Sequence, residues 1–192
     1  MWTQLAFLLR ITRSEGIMRR YFVVNGFDGA LTMLGLIIGF LVGPPAQLSL
    51  VIGVCLSAAI ALGVSGVSSA YVSEAAERKR SLKQLEEAMV TDLGDSAHGD
   101  AVRWVPILTA LVNGSAPVMI SLLILTPLWL SDAGVAVLLP PLHASVVIAL
   151  GLVFLLGVYL GHVAGISWLR SGFQALMLAL MTTGLIYLFA GN

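Results

Sequence analysis

Asp28 is the residue whose type and place most demand a chemical explanation. It is the one charged residue in the apolar run from Tyr21 to Gly43. A carboxylate held in hydrocarbon costs about 2.5–3.5 kcal/mol on insertion scales, so such a group ordinarily faces a bundle interior or a water-filled path. At 100° per residue, Asn25, Asp28, Thr32, Gly35 and Gly39 fall on one stripe of a helix. That stripe joins oxygen ligands to a surface open to close approach. Its chemistry would be the binding of a cation, or the carriage of a proton, by a carboxylate with amide and hydroxyl partners. The competing reading is packing: Gly35 and Gly39 have the small-x-x-x-small spacing of touching helices, with Asp28 merely hydrogen-bonded.

Further along, Ala58, Ala61, Ser65, Ser68 and Ser69 share a helical face that either packs tightly or lines a polar route. Asn113-Gly114-Ser115-Ala116-Pro117 places a kink in an apolar run, where freed carbonyls and the Asn and Ser oxygens form a candidate ligand set. Pro127 reads as a helix terminator. Glu74 and Glu77 share a face, and Glu86, Glu87, Asp92, Asp95, His98 and Asp100 follow. Carboxylates with a histidine suit divalent ions such as Mn²⁺ or Fe²⁺. Interleaved with Arg78, Lys79, Arg80 and Lys83, they equally describe a solvated face. No nucleophile–base pair, HExxH or His-rich cluster occurs in an apolar run, so an enzyme is not expected, nor a tightly bound cofactor.

The elements that position these residues follow from composition. Of 192 residues, 58% are apolar and 10% charged, against about 45–50% and 25% in soluble domains. Ten basic residues balance ten acidic ones, leaving no excess positive charge to neutralise the phosphates of a nucleic acid. The single cysteine excludes a disulfide framework. The expected fold is all-α, a polytopic membrane protein with five transmembrane helices in a lipid bilayer. Its spans cover about 21–43, 47–73, 104–130, 143–163 and 173–190, each long enough for roughly 30 Å of hydrocarbon. Residues 1–20 read as an amphipathic N-terminal interfacial helix, with Trp2, Leu5, Leu8 and Leu9 on one face. Helices 1 and 2 occupy residues 21–73, a short polar segment 74–103, and helices 3 to 5 residues 104–192.

With five spans, all ten Lys and Arg residues fall on one side of the membrane. The positive-inside rule makes that side cytoplasmic, with the N-terminus in and the C-terminus out. Trp2, Trp104, Trp129 and Trp168 fall at the expected interfaces. Short loops and the lack of a targeting segment fit a prokaryotic cell membrane.

The run Asn25-Gly26-Phe27-Asp28-Gly29-Ala30-Leu31-Thr32, followed by Leu34-Gly35 and Gly39, resembles the first-helix Asp-Gly motif of the vacuolar iron transporter family. The segment Val64 to Ser73 resembles that family's second-helix Ser-Met-x-x-Gly-Glu-Tyr-x-Ser pattern; the Met falls on Gly66 and the Glu on Ala70. Gly114 and Pro117 resemble its third-helix Gly-x-x-Pro, and Gly161 to Gly172 its connection between helices four and five. The resemblance implies a homodimer whose first and second helices line a path for Fe²⁺ or Mn²⁺ out of the cytosol, exchanged for protons. It places the metal and proton role on Asp28. Asn25, Thr32, Ser65 and Ser69 are then the candidate oxygen partners along the path, Glu74 and Glu77 a cytoplasmic capture pair, and Gly35, Gly39 and Pro117 packing positions. A proton or small-solute path without metal, and a non-transporting membrane scaffold or accessory subunit, are the alternatives to be separated from it.

Overall fold

The computed structural model describes Thr12, residues 14–136 and residues 138–190, apart from the side chain of Ala190. Its described elements are five α-helices and no strand: α1 (Ser14–Val42), α2 (Leu48–Met89), α3 (Ala97–Asp132), α4 (Pro141–Val163) and α5 (Trp168–Ala190). All five are long and apolar enough to cross a membrane. The chain is an all-α, multi-pass integral membrane protein. Helices are what apolar runs of this length must form in lipid, where each backbone N–H and C=O needs a partner inside its own segment.

The spans agree with the sequence reading, but three helices outrun them. α1 starts at Ser14, so residues 14–20 extend the first span instead of belonging to a separate interfacial helix. Nothing in Glu15 to Arg20 breaks a helix except Gly16. The remainder of the expected interfacial helix lies outside the described residues. α2 continues to Met89, and its 42 residues make a helix about 63 Å long, roughly twice the hydrocarbon thickness. The stretch after Ser73 is rich in Ala, Glu, Arg, Lys and Leu, all strong helix formers. α3 passes through Pro127, since the Thr126 hydroxyl donates to the Leu123 carbonyl that the proline leaves without its usual donor.

The turn between α2 and α3 consumes several of the polar residues that looked like ligands. The Glu86 carbonyl accepts from the Thr91 amide (3.3 Å) and its carboxylate from the Leu93 amide (3.0 Å). The Asp92 carboxylate accepts from the Gly94 amide (2.8 Å), and Ser96 caps α3 by accepting from the His98 and Gly99 amides. Val90 ends α2 in the left-handed region at φ 52°, where helices usually place Gly or Asn. A β-branched residue there stores about 1–2 kcal/mol. Val90→Gly should therefore raise the midpoint of thermal unfolding by about 2–4 °C, and a lowered midpoint would show that the turn needs the valine.

The described chain falls into two compact units. The first comprises the described residues up to Val24 with Gly63–Ser115; the second comprises Asn25–Leu62 with the residues from Ala116 onward. The second unit has the larger core, built on Met33, Leu34, Ile37, Val51, Ile124, Leu125, Leu128 and Val153. Within it α4 and α5 cross with their backbones nearly touching. A Cβ on Gly157 would lie 2.6 Å from Ala175 Cβ, one on Gly161 2.6 Å from Ser171 Cβ, and one on Gly172 2.7 Å from the Phe154 ring. Gly165, at φ 68°, closes the short turn between the two helices. Large apolar side chains cover the outside of α5, including Met177, Met181, Leu188 and Phe189. This is a lipid-facing surface, not a soluble one.

Candidate functional site

The face of α1 that carries Asp28 is set by what the opposite face must bury. Val23, Gly26, Gly29, Ala30, Met33, Leu34 and Ile37 are buried at helical spacing. Gly29 is the tightest point in this series. A Cβ there would lie 2.7 Å from Pro117 Cα and 2.9 Å from the Pro117 carbonyl oxygen, so α1 and α3 meet backbone to backbone. Gly26 sits against Leu156 and Ile120 on the same face. With those positions turned inward, Asp28 lies about 160° away from Gly26 and Ala30 around the helix and is exposed on the surface of its own chain.

Asn25 and Thr32 are half-buried beside it along the helix. The two glycines of the stripe behave differently. Gly35 touches the Ile186 side chain, where a Cβ would come within 3.3 Å, whereas Gly39 has nothing within 4 Å of its Cβ position. Gly39 instead lines, with Gly35, Phe40, Gly43, Pro45 and Leu50, an apolar groove of about 670 Å³. Packing accounts for Gly35, Pro117 and the unanticipated Gly29, but for Gly39 the described residues supply no neighbour at its Cβ position.

Ser65, Ser69, Glu74 and Glu77 belong to the first unit. Ser65, Ser68 and Ser69 are exposed on α2. Ser68 donates to the Val64 carbonyl and Ser69 to the Ser65 carbonyl, each at 2.8 Å. Their protons are thereby spent on their own helix while the oxygen lone pairs stay available. Glu77 is exposed, but Glu74 is not: its side chain is 8% exposed and paired with Arg78 at 3.4 Å. Arg78 Nη2 also donates to Ser14 Oγ at 2.9 Å. Metal capture at Glu74 would have to displace a buried arginine. Among the described residues no three His, Cys, Asp or Glu side chains come together as a ligand set.

Gly66 has a structural explanation for being glycine. Its Cβ would lie 3.1 Å from Gly114 Cα, while a Cβ on Gly114 would run into Val67 Cγ2 and the Gly63 carbonyl at 2.4–2.5 Å. Asn113, read from the sequence as an oxygen ligand, donates from Nδ2 to the Gly66 carbonyl at 2.8 Å in a buried contact. A methionine at position 66 would have no room without parting α2 from α3. Asn113→Ala should cost about 1 kcal/mol, a fall of about 2–4 °C in the unfolding midpoint. An unchanged midpoint would show that the bond is immaterial.

His98, His143 and His162 are all exposed, as are Trp104 and Trp168, while Trp129 is half-buried near the far end of α3. Trp2 lies outside the described residues. The signal that the sequence reading passed over was the pair Ser14 and Arg78, sixty-four positions apart, which only the fold brings together.

Comparison with known proteins adds a relative but no family. No family profile matches the chain. An uncharacterized protein of the archaeon Methanocaldococcus jannaschii is 28% identical over 173 residues, a match covering 88% of this chain and 86% of the relative.

Proposed function

We propose that the chain is a membrane transporter that moves divalent cations, Mn²⁺ or Fe²⁺, out of the cytosol in exchange for protons, with Asp28 as the central ligand. The observation that carries this reading is the exposure of Asp28 on the outer face of α1, within a helix that crosses the membrane. Lipid is a costly neighbour for a carboxylate, so that face calls for a cover. A second copy of the chain, set face to face across a two-fold axis, would supply it and bring two Asp28 carboxylates together. Two carboxylates can hold a divalent ion where one would not repay its dehydration. Asn25 and Thr32, on the same helix and in the same unit, offer neutral oxygens, which suit Mn²⁺ and Fe²⁺ better than soft ions.

The resemblance of Asn25 to Gly39 to the vacuolar iron transporter motif supports the same reading. The excess of Lys and Arg on one side would make that side cytoplasmic, which orients the path but leaves the direction of flux to the transport assay. An archaeal relative is compatible with a prokaryotic cell membrane. The reading is tested by loading the purified chain into liposomes and following Mn²⁺ and Fe²⁺ uptake with an entrapped fluorescent chelator. Metal-dependent uptake that collapses an imposed pH gradient is expected; uptake equal to that of protein-free vesicles would refute transport.

A proton path without metal is the second reading. What favours it is that no three-ligand cluster exists among the described residues. It predicts pH-driven flux that neither Mn²⁺ nor Fe²⁺ inhibits. If neither flux is seen, a scaffold or accessory subunit is left.

A further inference from the structure

A second site, unrelated to Asp28, lies in the first unit where the start of α1, the polar extension of α2 and the start of α3 meet. A cavity of about 210 Å³ is lined there by Thr12, Arg78, Ser81, Leu82, Leu85, His98, Ala101 and Val102. Its polar residues are donors by type: a guanidinium, two hydroxyls and an imidazole. No carboxylate is among its described lining residues.

Arg78 is the unusual member. Its side chain is only 13% exposed, and Nη2 serves both Ser14 and Glu74. Its Nε–H is shut off from solvent and has no acceptor among the described residues. A buried charged donor left unmade is expensive, so its retention asks for an acceptor that the described residues do not supply. Glu74 answers part of the charge, through one contact at 3.4 Å, longer than a good charge-assisted bond. Lys79, Arg80 and Lys83 are exposed on the same stretch of α2 and add to the attraction for anions, with Glu77 and Glu87 partly offsetting them.

We propose that this cavity binds a phosphate group, free or as the headgroup of an anionic phospholipid. Arg78 is the main ligand, and Ser81 and His98 complete the donor set; the Thr12 hydroxyl is engaged with Ser14 at 2.6 Å. Donors contributed from two separate helices can surround a tetrahedral oxyanion, and guanidinium is the side chain best matched to phosphate. The apolar remainder, Leu82, Leu85, Ala101 and Val102, suits a headgroup entering from the membrane surface. The proposal stands independently of metal transport.

The test uses the full chain purified in zwitterionic detergent. Inorganic phosphate is titrated at constant ionic strength, with chloride as the control. In parallel, the protein is taken from mixed phosphatidylglycerol–phosphatidylcholine nanodiscs into native mass spectrometry. Arg78→Gln should abolish binding. Because Arg78 also holds Ser14 and Glu74, that variant can fail to fold, so Ser81→Ala/His98→Ala is the second probe. Both of these side chains are exposed. The double variant should keep the wild-type unfolding midpoint and bind at least fivefold more weakly. Saturable phosphate binding weakened by the double variant supports a free-anion site. Selective retention of phosphatidylglycerol, lost in the double variant, supports a lipid-headgroup site. No binding of either probe, or binding that the double variant leaves unchanged, overturns the proposal.

Discussion

Asp28→Asn should reduce Mn²⁺ or Fe²⁺ flux into liposomes by roughly 100-fold or more while leaving the protein at least as stable as the wild type. The two halves of this expectation come from the same charge. Asparagine keeps the shape of the side chain and one carbonyl oxygen but removes the negative charge from both copies in a dimer. Losing a desolvated charge opposite its partner costs 2–5 kcal/mol in comparable settings, and about 3 kcal/mol is roughly 100-fold. Removing an intramembrane carboxylate also relieves an insertion cost of about 2.5–3.5 kcal/mol, so thermal unfolding should move upward or not at all. A residue retained for packing would show the reverse pattern, with flux kept and stability lost. Asp28→Glu, which restores the charge one methylene farther out, should recover part of the flux. If metal flux survives Asp28→Asn at wild-type rates, the mechanism is wrong, and proton flux abolished without any metal effect would move the assignment to the metal-free path.

Gly29→Leu should leave little folded protein, and Gly29→Ala should already cost about 1–3 kcal/mol. The added Cβ would meet Pro117 at its Cα and carbonyl oxygen, backbone atoms that cannot rotate away as a side chain could. α1 and α3 would have to separate, and the buried series Met33, Leu34 and Ile37 would lose its seat. Gly39→Ala is the matched control. No atom lies within 4 Å of its Cβ position, so within one chain alanine should be tolerated and should gain helix propensity of up to about 1 kcal/mol. Thermal unfolding in detergent, read from the loss of monodisperse protein, compares the two. Equal midpoints for Gly29→Ala and Gly39→Ala would rule out the close crossing at Pro117. A Gly39→Ala variant that stays folded but no longer dimerises would locate the partner's contact.

The number of spans and their order were legible because hydrocarbon thickness imposes a length and hydropathy reports it. The stripe from Asn25 to Gly39 was legible too, since helical period alone aligns it. The partners of that stripe were not legible. Asp28 and Gly29 are adjacent in sequence, yet one faces outward and the other is wedged on Pro117, a division set by tertiary contact and invisible to the period of one helix. The Glu74–Arg78 spacing is an ordinary i, i+4 pair, and nothing local distinguishes this buried one from the exposed Lys83–Glu87 pair nine positions on. The acids from Glu86 to Asp100 misled for a related reason. Composition reports that oxygens are present, but not that Glu86 and Asp92 are already occupied by the amides of Leu93 and Gly94. Position 66 shows the converse: nothing in the local sequence asks for a glycine there, and only the proximity of Gly114 explains why this chain has no side chain at that point.

The α4–α5 crossing bears on biogenesis. Two apolar helices joined by a turn of a few residues can enter the bilayer as one hairpin, with Arg170 as the only Lys or Arg in either helix to hold the turn on its own side. The contacts of Gly157 and Gly161 with Ser171, Gly172 and Ala175 let the pair close through backbone proximity, without waiting for other helices. These are the last helices to be synthesised, so the pair closes when the first helix has already been made. Closing the hairpin fixes Leu156 as a seat for Gly26 of the waiting first helix, and docking there turns the Asp28 carboxylate away from that surface.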